Sequence, residues 1–208
     1  YHRHSYTGCK PALSVRLRSV MFVRTPLNGV EGKAHVGDKL AEMISIAELC
    51  YGTGIAAAVN AEKAASGTYI PDIVYCNVSR RLAGLSIFRE YDILADIAGG
   101  LPASLPLEGD WENEETRPYQ EKYMMRNPKV SIENQHRAFR WVQDIACTDA
   151  AGARMYGELH GGGSPRMEQI AILSAYDMEK TKNLAKRLAG IPVDGKYTFD
   201  RLGTIPKL

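Results

Sequence analysis

The sequence predicts an all-α protein: an antiparallel helix bundle with a short irregular N-terminal segment and an irregular C-terminal tail. Three observations carry this. One long Ala-rich, Pro-free stretch places apolar residues at helical spacing, two further apolar stretches end on glycine stop signals, and no stretch carries a competing strand signal. The organisation expected is a segment 1–34 closing a preceding domain, a helical domain 35–191 and a tail 192–208.

Taken in order, residues 11–34 mix short apolar runs with Pro26, Asn28, Gly29 and Gly32, and read as a connector or a short first helix with a loop. From about residue 35 to 66, Leu40, Met43, Ile44 and Ala47 fall on one helical face. The small residues Gly52, Gly54, Ala56, Ala57 and Ala58 in the same stretch would let another helix or a ligand come close. A second helix is expected over residues 78–97, ending at Gly99-Gly100. Residues 101–116 read as a polar, Pro-containing loop. Short helices follow near residues 117–125 and 131–147. A last long helix starts at Pro165 or Met167, behind HGGGSP, and runs to Ala189 before Gly190.

The 208 residues suffice for a real core, and 45% hydrophobic with 24% charged content is that of an ordinary globular protein. With 26 basic and 24 acidic residues the net charge is +2, too small to point to nucleic acid or an anionic membrane as partner. No apolar run is read as reaching the roughly 18–20 residues of a membrane span. The four cysteines are widely and irregularly spaced, which suits reduced thiols in a cytoplasmic protein better than a disulfide framework. Cys50, Cys76 and Cys147 read as packing residues.

Two local patterns carry chemistry. His160-Gly161-Gly162-Gly163-Ser164 precedes a helix, where backbone N–H groups and the helix N-terminus favour an anion; a plain interhelix loop explains it equally well. Asp96-Ile97-Ala98-Gly99-Gly100 is a second glycine-stopped helix end. In YHRHSYTGCK, His2 and Cys9 stand seven apart, and imidazole and thiolate both bind iron or zinc. Two ligands make half a site, because a tetrahedral metal or a four-iron cluster takes four.

Five blocks in one order, YHRHSYTGCK, YGTGIAAAVNAEKAASGTYIPD, DIAGGLPASLP, RPYQEKYMM and MYGELHGGGSP, extend from residue 1 to about 191. Together they resemble the C-terminal part of the 4-hydroxybutyryl-CoA dehydratases, in the family that also holds the flavin-dependent 4-hydroxyphenylacetate hydroxylases. The resemblance implies a lyase that dehydrates 4-hydroxybutyryl-CoA to crotonyl-CoA through transient one-electron oxidation, with vinylacetyl-CoA Δ-isomerase activity, FAD and a [4Fe-4S] cluster. It matches His2 and Cys9 to cluster ligands, His2 also to a base, and Tyr6, Lys10 and Glu158 to active-site groups. Tyr6 and Lys10 would hydrogen-bond the substrate or radical oxygen, and Glu158 would handle a proton.

Two further cysteine ligands would come from an N-terminal portion or a separate subunit, so the chain is expected to be a fragment, a split subunit or an incomplete gene model. The helical part resembles the acyl-CoA dehydrogenase C-terminal bundle. That analogy makes Asp96, Gly99 and Gly100, and Gly161, Gly162, Gly163 and Ser164, flavin contacts, with His160 as another. The resemblance to the dehydratase family also implies a homo-tetramer. His4, His35 and His136 are expected to be surface or structural. The competing expectations are an aromatic hydroxylase of the same family, which needs no H-x6-C pair, and a non-catalytic helical interaction domain.

Overall fold

Three helices of 26 residues each form the frame: α1 (His2–Leu27), α2 (Ala34–Val59) and α3 (Ile73–Ala98). The computed structural model describes residues 2–193, apart from the side chains of His2 and Arg3. The expected tail therefore lies almost wholly outside the described residues. All three helices pack on one another. Thr7 meets Gly54 and Cys50 meets Ser79, so direction alternates along the chain. After α3 come a 3-10 turn (Leu101–Ser104), α4 (Glu108–Glu112), α5 (Arg117–Met124), α6 (Ile132–Ala146), α7 (Asp149–Gly162), α8 (Pro165–Ala175) and α9 (Met178–Leu188). Helices α6 and α7 close the bundle against α1 and α3, and α8 lies along the first half of α3.

The all-α bundle is as expected, but the irregular N-terminal segment is a helix. Its inward stripe is Tyr6, Lys10, Ser14, Leu17, Met21 and Arg24, at steps of three and four. Two charged residues sit in that stripe, and Pro11 and Pro26 interrupt the segment, so its apolar periodicity was hidden. Pro11 leaves the Thr7 carbonyl without its usual partner. Arg24 is accommodated by stacking over Phe139, 3.8 Å from the ring centroid, and by a 2.7 Å bond to Asn28. Burial first, then the nearby Arg126, lowers its guanidinium to about 10.

Other boundaries differ for local reasons. Helix α2 stops at Val59, and an antiparallel pair follows, Glu62–Lys63 with Tyr69–Ile70, too short for a strand signal. In α2 the buried stripe is Val36, Met43, Ile46, Ala47, Cys50, Gly54 and Ala57, with Ile44 turned outward. Helix α2 is also, among the described residues, the one helix long and apolar enough to cross a membrane, with an 18-residue window of mean hydropathy 1.2. That differs from the expectation of no such run. Its stripe packs between α1 and α3, and Glu42 and Glu48 pair with Arg89 and Arg18.

Asp72 caps α3 by accepting from the Tyr75 N–H at 2.8 Å, which starts that helix earlier than expected. Ser131 caps α6 through the Asn134 N–H. The expected polar loop 101–116 instead builds a satellite core in which Leu105, Trp111, Met124 and Phe139 bury one another. The last helix breaks at Asp177, whose side chain accepts from the Lys180 N–H and starts α9 afresh. Cys76 lies buried in α3, whereas Cys147 is exposed at the end of α6.

In the satellite core His136 stacks on Trp111, ring centroids 4.0 Å apart and planes 3° from parallel. Burial lowers its pKa; Glu108 opposes that shift, and Arg140, Arg117 and Arg137 add to it. The folded state thus binds this proton less readily than the unfolded state, whose imidazole titrates near 6.5. His136 should therefore cost nothing above about pH 6.5 and destabilise the fold as pH falls through the folded value. Urea unfolding at stepped pH should show this slope, and His136→Phe, which keeps a stacking ring, should flatten it.

Candidate functional site

The first turns of α1 enter the bundle where α2, α3 and α7 meet. Tyr6 is buried, and its hydroxyl lies 2.7 Å from Glu158 Oε2 and 2.7 Å from the Glu158 carbonyl oxygen, so one proton is shared between two acceptors on α7. Burial pushes the phenol far above its ordinary value, and the hydrogen bond and negative charge of Glu158 push it further. The phenol is therefore held protonated as a donor to a half-buried carboxylate.

One turn further along α1, the Lys10 ammonium touches Glu90 of α3 and donates to Ser14 Oγ at 2.9 Å. Both charged side chains are fully buried. Cys50 of α2 completes the cluster, its thiol pushed up to about 11 by burial, with Lys10 opposing and Glu90 and Glu158 reinforcing that shift.

Glycines line these approaches. Gly161 and Gly162 lie inside α7, and a Cβ on either would stand 3.4 Å from the Tyr6 ring. The expected glycine turn is thus largely helical, and two of its glycines form the seat of an aromatic ring. Gly163 ends the helix at φ +96°, a conformation that favours glycine, with the Arg80 guanidinium against it. Arg80 faces Asn77 at 3.2 Å and Glu168 at 3.8 Å, and the three line a small concavity with Gly163 and Ser164.

The structure brings Tyr6, Lys10, Glu158, Gly161 and Gly162 together. It does not bring Asp96, Gly99 and Gly100 to them: these lie at the far end of α3, about 27 Å along the axis from Arg80. Asp96 there is exposed and paired with Lys39. Cys9 is exposed on α1, the His2 side chain lies outside the described residues, and His160 is exposed. His4 is structural, bonded at 3.0 Å to the Gly54 carbonyl; His35 is exposed. Lys10 was expected to face a substrate, but it points inward to Glu90. Sequence reasoning missed Glu90 and Arg80. Glu90 follows Ile87 by three and precedes Leu94 by four, which puts it on the buried stripe of α3, and that spacing was the available signal.

A family model described as HpaB, 4-hydroxyphenylacetate 3-hydroxylase C terminal, matches residues 1–190. The chain belongs to that family. It is 31% identical over 199 residues to the 4-hydroxybutyryl-CoA dehydratase/vinylacetyl-CoA-Δ-isomerase of Clostridium aminobutyricum, covering 92% of this chain and 41% of that protein. Among solved structures it matches an oxygen-tolerant archaeal 4-hydroxybutyryl-CoA dehydratase from N. maritimus with TM-score 0.84 and 33% identity, over 94% of this chain and 39% of that one. The oxygenase component of 4-hydroxyphenylacetate 3-monooxygenase, solved with FAD and 4-hydroxyphenylacetate, superposes with TM-score 0.82 at 21% identity, over 90% of this chain and 39% of that one, and shares the fold. The chain spans about two fifths of the length of these relatives.

Two predictions test the packing of the site. Gly→Ala inside a helix ordinarily gains about 0.5–1 kcal/mol. Gly157→Ala, in open space on α7, should show that gain in urea unfolding, and Gly54→Ala should destabilise because its Cβ would stand 2.6 Å from Thr7 Oγ1. Against a thiol-specific reagent at pH 8, Cys9 and Cys147 should react quickly and Cys50 only after denaturation, since its thiol is both buried and protonated.

Proposed function

We propose that the chain is the C-terminal part of a hydro-lyase that dehydrates 4-hydroxybutyryl-CoA to crotonyl-CoA by a flavin radical mechanism, and that also isomerises vinylacetyl-CoA. Supporting this are the identity to two dehydratases and, above all, one contact. Tyr6 and Glu158, which the sequence resemblance assigns to active-site groups 152 positions apart, share a hydrogen bond.

In this reading the chain's own residues manage protons. Glu158 accepts or returns a proton at the substrate, with Tyr6 fixing the carboxylate's orientation through its hydroxyl. The inward-turned Lys10 contributes a positive charge behind that pair rather than a direct substrate contact. FAD, when bound, supplies the one-electron oxidation that acidifies the β-carbon proton. Gly163 and Ser164, at the N-terminus of α8 beside Arg80, suit a flavin phosphate.

The cluster is a different case. His2 and Cys9 are two of the four ligands a [4Fe-4S] centre takes, and among the described residues no three His, Cys, Asp or Glu side chains converge. These residues alone do not hold a cluster, and the remaining ligands are assigned to the part of the enzyme this chain does not cover. A cytoplasmic homo-tetramer is the assembly proposed.

The test is to produce the chain anaerobically together with the uncovered part of the Clostridium aminobutyricum relative and to measure iron, sulfide and flavin. About four iron per protomer, lost in Cys9→Ala, is the expected result. Flavin without iron would favour an aromatic hydroxylase, and neither cofactor would leave a helical interaction domain.

A further inference from the structure

Glu90 has no part in the reading above, yet it is fully buried and paired with Lys10. One carboxylate oxygen, Oε2, meets the Lys10 ammonium; the other, Oε1, has no hydrogen-bond partner among the described residues. As a device for stability this is poor, because a buried ion pair replaced by apolar residues of similar size often leaves a protein as stable or more so. What the pair does well is fix position. A charge this deep has no solvent alternative, so Lys10 is confined to where its partners Glu90 and Ser14 stand.

That confinement passes to Tyr6, four residues earlier on the same helical face and about 6 Å away between Cβ atoms. Any slide or rotation of α1 that loosens Lys10 displaces Tyr6 by a similar amount. Tyr6 is held at its hydroxyl, 2.7 Å from both Glu158 Oε2 and the Glu158 carbonyl oxygen, so a shift of α1 lengthens both bonds. Lys10 and Glu90 also act with opposite sign on the neighbouring Cys50 thiol, so the pair is nearly neutral as a unit and does not flood the site with one charge.

We propose that Glu90 is a positioning residue which, through Lys10, holds α1 against α3 in the register that delivers the Tyr6 hydroxyl to Glu158. Its place in the reaction rests on the dehydratase reading, whereas the coupling to Tyr6 rests on geometry alone.

The test uses 3-fluorotyrosine placed at position 6 of this chain and read by 19F NMR. Glu90→Gln keeps size and hydrogen bonding but removes the charge; Glu90→Asp keeps the charge and serves as the conservative rescue. K10M/E90L removes both charges and keeps the test alive if Glu90→Gln does not fold. In folded Glu90→Gln and K10M/E90L the residue-6 resonance should move toward its position in a Glu158→Ala control, and Glu90→Asp should restore most of it. In enzyme completed with the uncovered part of the Clostridium aminobutyricum relative, Glu90→Gln should lower kcat by about 100-fold with KM within about twofold, the signature of a misplaced group. An unmoved 19F resonance in folded variants would overturn the proposal. A completed wild-type enzyme without dehydratase activity would overturn the functional reading, with the 19F result still deciding the role of Glu90.

Discussion

The contact between the Lys10 ammonium and the Glu90 carboxylate is the constraint around which the rest of the molecule is arranged. Helix α1 presents a stripe to the bundle that is only partly apolar, and hydrophobic packing alone would leave its register loosely determined. A buried charge is different: it tolerates no position but the one where its partner stands, because an uncompensated ion in the interior is strongly unfavourable. Placing one such pair between α1 and α3 sets the rotation and height of the first helix. Leu17, Val20 and Met21 then meet Ile87, Leu94 and Ile97 in the main core, and Tyr6 meets α7.

Small residues do the complementary work of letting backbones and rings approach. At Gly54 a Cβ would stand 2.6 Å from Thr7 Oγ1, so the close passage of α1 over α2 requires glycine there. The small-residue run in α2 suggested such an approach, and the structure shows which glycine it needs. Gly161 and Gly162 receive the Tyr6 ring. Gly163 turns the chain from α7 into α8 beside Arg80, where two helices and a guanidinium converge.

These two devices place a phenol–carboxylate pair at the end of the bundle where α1 begins. The relatives it matches are more than twice as long as this chain, and in the proposed reading the pair faces the portion they have that this chain does not span. In that reading, the division accounts for a well-formed phenol–carboxylate pair beside only two candidate cluster ligands, His2 and Cys9. A hydrogen-bonded acid–base couple is assembled by helix packing within one bundle, whereas a four-iron centre gathers ligands from segments far apart in the chain.

By itself the sequence determined the fold class and the existence of most helices, and it named the candidate residues of the site. Helical periodicity and glycine stops are local signals, and the ordered blocks carried Tyr6, Lys10 and Glu158. It left α1 between a connector and a short helix, because Lys10, Pro11 and Arg24 break the pattern that burial would otherwise write. Nor did it separate the two glycine-rich segments, which look alike in one dimension and lie at opposite ends of α3 in three. Only the tertiary structure decided that Lys10 turns inward, that Glu90 is its partner 80 positions away, and that Gly161 and Gly162 seat a ring. The reason is physical: a charge's partner and a glycine's neighbour are set by which helices touch, and no periodicity along the chain encodes that choice.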